Sequence, residues 1–98
     1  MTITREQVDS TLIISLHGKL DTNAAPDLEE ELYDSMDGIK ELIFESKDLE
    51  YLTSAGIRVL VAAQQEMIDK GYMLLRNVCD DIMEIFEMTG LDEVFSFE

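Results

Sequence analysis

This 98-residue chain has little of what several kinds of chemistry require. It holds one cysteine, Cys79, so no disulfide closes within it, and a small buried residue is the reading expected there. It holds one histidine, His17, and no metal-spaced Cys/His cluster, which leaves a zinc site without support. There is no Walker loop or dinucleotide fingerprint, so intrinsic nucleotide chemistry has no positive support either. The longest apolar runs, Leu12 to Ile14 and Val59 to Ala63, fall far short of the roughly 20 residues a membrane helix needs, and no span is expected. Met1 to Ser10 has no succession of basic, apolar and small residues like a signal peptide, and a cytoplasmic setting is expected. Basic residues are scarce, 7 against 22 acidic ones, for a net charge of -15. That excess repels phosphate backbones, excludes direct nucleic-acid binding as an expectation, and favours protein partners with basic patches. The acids are spread along the chain rather than gathered in a tail, so most are solvated surface.

What is present describes one domain, residues 1–98, with 46% apolar and 30% charged residues and no repeat, low-complexity tract or linker. Thr2 to Val8 and Thr11 to His17 read as paired strands around a turn at Asp9-Ser10, with Leu12, Ile14 and Leu16 on one face and Ile13 on the other. Gly18 ends the second strand in this reading. Asp21, Thr22 and Asn23 are candidate caps for a helix with Pro26 in its first turn and Ala25, Leu28, Leu32 and Met36 on its buried stripe. Glu29, Glu30 and Glu31 suit an exposed early helical segment better than a metal site. Gly38 closes that helix, and Glu41 to Glu45 reads as a buried strand. A second helix reaches about Lys70, Gly71 stops it, and Tyr72 to Leu75 forms the next strand, giving a parallel β-α-β unit. Asp80 or Asp81 then caps a short helix carrying Ile82, Ile85 and Phe86, with Gly90 beyond its end. Val94, Phe95 and Phe97 fit either a last strand or an apolar tail, and the six Met residues mostly fit core positions as gap fillers. The order β-β-α-β-α-β-α, with that terminal strand open, predicts an α/β sandwich: a mixed sheet with helices mainly on one face.

One segment places hydroxyls where a loop turns into a helix: Leu52-Thr53-Ser54-Ala55-Gly56-Ile57-Arg58. Ile57, Leu60, Val61, Gln64 and Ile68 follow helical spacing and are the expected buried face, with Leu49 and Leu52 anchoring the approach. Ser54 falls at or near an N-cap, where free backbone N–H groups favour a negative group. A phosphate there gains hydrogen bonds and changes the face a partner meets.

With these segments in order, the chain resembles the STAS domain of bacterial anti-sigma factor antagonists over nearly its whole length. Gly18-Lys19-Leu20-Asp21 is similar to the family's turn after the second strand, Asp48-Leu49 to its loop after the third, and Leu52 to Leu60 to its phosphorylation loop and helix. Met88-Thr89-Gly90-Leu91 resembles the turn before the last strand. The resemblance implies that Ser54, two residues before Gly56, is the phosphoacceptor and that Asp21 is the acidic residue near it. Thr53 stands where the family often has Asp, and is either the helix cap or a second acceptor.

The implied function is a partner switch with no catalytic residue and no cofactor in this chain. An anti-sigma factor serine kinase supplies the nucleotide site, and this domain supplies the hydroxyl. Unphosphorylated, the domain docks on the kinase through Asp21, Thr53, Ser54, Ala55, Gly56 and Arg58 and frees a sigma factor. Phosphorylated, it carries about 1.5 to 2 more negative charges beside Asp21 and Glu50 and is released, until a serine phosphatase restores it. Two other readings stay open: a constitutive STAS scaffold in which Ser54 is structural, and a small hydrolase using His17, Asp21 and Ser54 as a triad. The latter lacks the Gly-x-Ser-x-Gly elbow.

Overall fold

The computed structural model describes residues 1–98. Its elements are β1 (Thr2–Val8), β2 (Thr11–Leu20), α1 (Ala25–Ser35), β3 (Glu41–Leu52), α2 (Ser54–Ile68), β4 (Tyr72–Arg76), α3 (Asp80–Met88), a short 3-10 turn (Leu91–Glu93) and β5 (Ser96–Phe97). The five strands lie in one sheet in chain order, β1-β2-β3-β4-β5. β1 is antiparallel to β2, and every later pair is parallel. The hairpin closes at Asp9-Ser10 with Val8 opposite Thr11, and Asp9 takes φ 56°, the left-handed value such a tight turn needs. The terminal segment divides its roles: Ser96–Phe97 pairs with β4, Phe95 is buried, and Val94 is exposed.

Both β2 and β3 run further than the sequence predicts. β2 continues through Gly18, which takes φ +105°, and ends at Leu20. β3 does not stop at Glu45; the register against β2 slips between Ser15 and His17 and again between Gly18 and Lys19, each slip adding a residue on β3. Such bulges re-aim side chains. They keep Leu49 and Leu52 buried, so Asp48-Leu49 belongs to a strand rather than a loop.

Each parallel crossover steps to the next strand in the same direction, and crossovers of one hand put their helices on one face. The main core is that face. Leu12, Ile14, Leu16, Leu42, Phe44, Met73 and Leu75 of the strands meet Leu28 and Leu32 of α1, Leu60 and Met67 of α2, and Ile82 and Phe86 of α3. Each fully buried side chain of this kind contributes about 1.5–3 kcal/mol relative to exposure. Phe86 packs edge-on against Phe95, ring centroids 5.4 Å apart, which seals the last helix to the C-terminal segment.

The other face of the sheet carries no helix. Ile13, Ile43 and Leu74 lie in register across it and stand outside the main core. Polar residues flank the row, and Glu45 is their hub. It accepts from Asn77 Nδ2 at 3.0 Å, Arg76 Nε at 3.2 Å and the Lys47 backbone N–H at 3.3 Å. Burial pushes the Glu45 pKa up, but the hydrogen bonds and the Arg76 charge outweigh it and hold the carboxyl below its ordinary 4.5.

Three burial expectations are corrected. α2 buries Gly56, Val59, Leu60, Ala63 and Met67, whereas Ile57, Val61 and Gln64 are half-buried and Ile68 is 66% exposed. Apolar side chains run nearly round this helix, and the small Gly56 and Ala63 decide which side approaches its neighbours closely. Cys79 is exposed, since it precedes α3 as its N-cap in place of Asp80 or Asp81, which fall in the first turn. Of the Met residues, Met36, Met67 and Met73 are buried, but Met1 and Met88 are exposed and Met83 is half-buried.

Candidate functional site

The ends of β2 and β3 lie side by side, because Leu20 pairs with Leu52 at the last rung of their ladder. The Leu20 carbonyl then accepts the Thr53 backbone N–H at 3.1 Å. Asp21 follows one strand and Ser54 the other, so the starts of α1 and α2 emerge at one edge of the sheet. Gly56 makes this approach feasible. A Cβ on it would sit 2.6 Å from the Leu20 carbonyl oxygen and 2.7 Å from Leu20 Cγ.

Asp21 ties the turn that leads into α1, whose N-cap position is Ala24. Its Oδ1 accepts the backbone N–H groups of Asn23 at 3.1 Å and Ala24 at 2.9 Å, and its carbonyl accepts that of Ala25 at 2.9 Å. This half-buried carboxylate therefore satisfies backbone donors before α1 and stands as a fixed negative charge at the shared edge.

The start of α2 is built differently. Thr53 occupies the N-cap position with an extended backbone, φ -108° and ψ 171°, but its side chain makes no capping hydrogen bond. Its Oγ1 reaches instead toward the Leu20 carbonyl, at a long 3.5 Å. Thr53 thus caps by position alone. Ser54 is the first helical residue rather than the cap, and it is exposed. The first turn of α2 contains no acidic residue, so its free N–H groups meet no side-chain anion of their own helix. Ala55 is half-buried, and Arg58, one turn beyond Ser54, is exposed and belongs to no ion pair. Between the two helix starts, Thr22, Pro26, Ala55 and Arg58 line a shallow depression.

The structure gathers Asp21, Thr53, Ser54, Ala55, Gly56 and Arg58 at this edge, but His17 stands apart chemically. Its Nδ1 is 3.0 Å from Asp48 Oδ2, an exposed pair across β2 and β3. No Ser-His-Asp relay joins His17, Asp21 and Ser54, since Asp21 is engaged by backbone N–H groups and His17 by Asp48. The His17–Asp48 pairing was missed in the sequence because it depends on the bulged register of β3. No group of His, Cys, Asp and Glu side chains is arranged to hold a metal, and no helix is long and apolar enough to cross a membrane.

The STAS domain model matches residues 2–98. The chain is 32% identical over 97 residues to BtrV of Bordetella bronchiseptica, named an anti-sigma factor antagonist, covering 97% of this chain and 84% of BtrV. Its fold is that of an anti-sigma factor antagonist from Thermotoga maritima, with a TM-score of 0.89 at 17% identity, covering 97% of this chain and 84% of that one. It is also that of Bacillus SpoIIAA in its phosphorylated form, with a TM-score of 0.77 at 19% identity, covering 99% of this chain and 91% of that one. This chain belongs to the STAS domain family.

Proposed function

We propose that this chain is an anti-sigma factor antagonist whose binding to an anti-sigma serine kinase is switched by phosphorylation of Ser54. The observation that carries the reading is the exposed Ser54 hydroxyl at the uncapped start of α2, held beside Asp21 by the Leu20–Thr53 bond. The family and the likeness to BtrV support the antagonist role, and SpoIIAA supplies a relative in fold that exists in a phosphorylated form.

The mechanism needs no catalytic group here. Bound to the kinase, Ser54 presents its hydroxyl to the γ-phosphate, and the kinase provides metal, base and charge stabilisation. The phosphate then meets free N–H groups at the helix start and lies within reach of Arg58 at i+4, both stabilising the modified domain. At the same time about 1.5 to 2 added charges face Asp21 and the partner's nucleotide phosphates, which weakens the complex. Binding is lost locally, without a change of fold. A serine phosphatase returns the domain to its binding form, and the sigma factor is free while the domain occupies the kinase.

Incubation with the anti-sigma kinase and ATP tests this by intact mass. One phosphate on the wild type and none on Ser54→Ala is the expected result. A phosphate that persists in Ser54→Ala moves the acceptor elsewhere, with Thr53 the nearest hydroxyl. Stable kinase binding without any phosphate overturns the switch and makes the domain a constitutive scaffold.

A further inference from the structure

A groove of 380 Å³ runs between α1 and α2, away from Ser54. It exists because α2 presents small side chains there, Ala62 and Ala63, opposite Leu32 of α1 and Met36 at that helix's C-cap. Buried Leu32, Met36, Val59 and Ala63 make an apolar floor, while Tyr33, 88% exposed, stands as one wall. Glu29, Asp37 and Glu66 rim it. The one cation at the mouth, Lys70, is held by Glu66 Oε2 at 3.1 Å and the Met36 carbonyl at 3.4 Å. The groove is continuous with the depression beside Ser54, since Glu29 and Val59 line both.

We infer that this groove receives an amphipathic helix of the protein partner, one that sets an apolar ridge on the floor and Lys or Arg against the acidic rim. The volume suits the anchor side chains of a docked helix, and helix-in-groove recognition uses such a floor. Charge selects the occupant. A second copy of this chain would bring Glu29, Asp37 and Glu66 against their own kind, and a fatty acid would set its carboxylate among them with Lys70 already engaged. A basic helix meets complementary charge and also gains on-rate from the net -15 of the chain. The inference rests on the docking at Ser54 proposed above and extends that interface along the two helices, so that the partner grips a surface the phosphate does not touch.

The test titrates the intact protein with a short synthetic amphipathic Leu–Lys peptide and follows its amide resonances. Shifts confined to the facing sides of α1 and α2 are expected. Ala62→Trp, an exposed position where the indole fills the groove without changing charge, should weaken the peptide roughly tenfold. Glu6→Gln on the opposite sheet face should leave affinity unchanged. Shifts spread over that opposite face, or equal losses from Glu6→Gln and Ala62→Trp, mean plain charge attraction and overturn the inference. So does concentration-dependent dimerisation of the protein alone that Ala62→Trp abolishes. With the anti-sigma kinase, Ala62→Trp should raise KM for Ser54 phosphorylation roughly tenfold with kcat kept, and unchanged KM overturns the groove as the kinase's dock. Absence of phosphate on the wild type, with peptide binding intact, would instead remove the Ser54 switch and leave the groove standing.

Discussion

Two helices begin at the same edge of the sheet and are finished in opposite ways. α1 starts saturated: the Asp21 carboxylate takes the Asn23 and Ala24 N–H groups, Pro26 sits in the opening turn, and Asp27 adds a second negative charge. α2 starts open: Thr53 offers no side-chain bond, no acid lies in the first turn, and Ser54 faces solvent. The start of α3 resembles α1 in charge, with Asp80 and Asp81 in its first turn. An uncapped helix start forgoes about 1 kcal/mol that a Ser, Thr or Asp cap would supply. Neither Ala24 of α1 nor Cys79 of α3 makes a side-chain cap bond, but both helices carry acids in their first turn, so the start without a local anion is that of α2, where an added anion has both hydrogen-bond donors and a favourable dipole.

The comparison breaks most severely if the two starts are pried apart. Gly56→Ala puts a methyl 2.6 Å from the Leu20 carbonyl oxygen, and overpacking of this kind costs about 1–3 kcal/mol, measurable as a lower denaturant midpoint. An unchanged midpoint would mean that the Leu20 contact yields easily. Asp21→Ala removes the side chain that ties the turn before α1 and should cost about 1 kcal/mol, while Asp21→Asn should keep most of that stability. Equal losses in both variants would assign the effect to charge rather than to these hydrogen bonds. Ser54→Asp addresses the open start: a negative group there should stabilise the unmodified domain by about 0.3–1 kcal/mol at low salt. The same substitution should weaken kinase binding, and a destabilised domain would contradict the vacancy at α2.

The smallest effect lies away from both helix starts and serves as their control. The folded pKa of Glu45 is depressed, so its contribution is fully present above its ordinary value near 4.5 and is lost as pH falls through the folded value. Glu45→Gln should therefore flatten the decline of stability below about pH 4.5 without altering phosphorylation of Ser54. An identical acid profile in the variant would show that the Asn77 and Arg76 bonds do not hold the carboxylate.

The sequence made the element order legible because each element carries its own period and stop signal. Leu12, Ile14 and Leu16 alternate, Leu28, Leu32 and Met36 recur at helical spacing, and Gly38 and Gly90 follow helix ends, where each takes a positive φ. The candidate site was legible as residue types in order, from Asp21 through Ser54 to Arg58. Its wiring was not. The reach of β3 past Glu45 depends on bulges set by β2, and the polar run Ser46-Lys47-Asp48 looks like a loop until Ser46 is seen buried with its hydroxyl bonded to the Phe44 carbonyl. The buried side of α2 was misread for a related reason. Ile57, Val61 and Ile68 are more apolar than Gly56 and Ala63, yet close approach to Leu20 and α1 favours the smaller pair.

By itself, then, the sequence determined a single α/β domain with helices on one sheet face and a hydroxyl residue, Ser54, at the start of its second helix, since these follow from local periodicity and punctuation. Tertiary structure alone decided three things: that the starts of α1 and α2 meet at one edge through the Leu20–Thr53 bond, that His17 pairs with Asp48, and that a groove lies between α1 and α2. Each depends on contacts between residues distant in the chain, and those are fixed only when strand register and helix approach are fixed together.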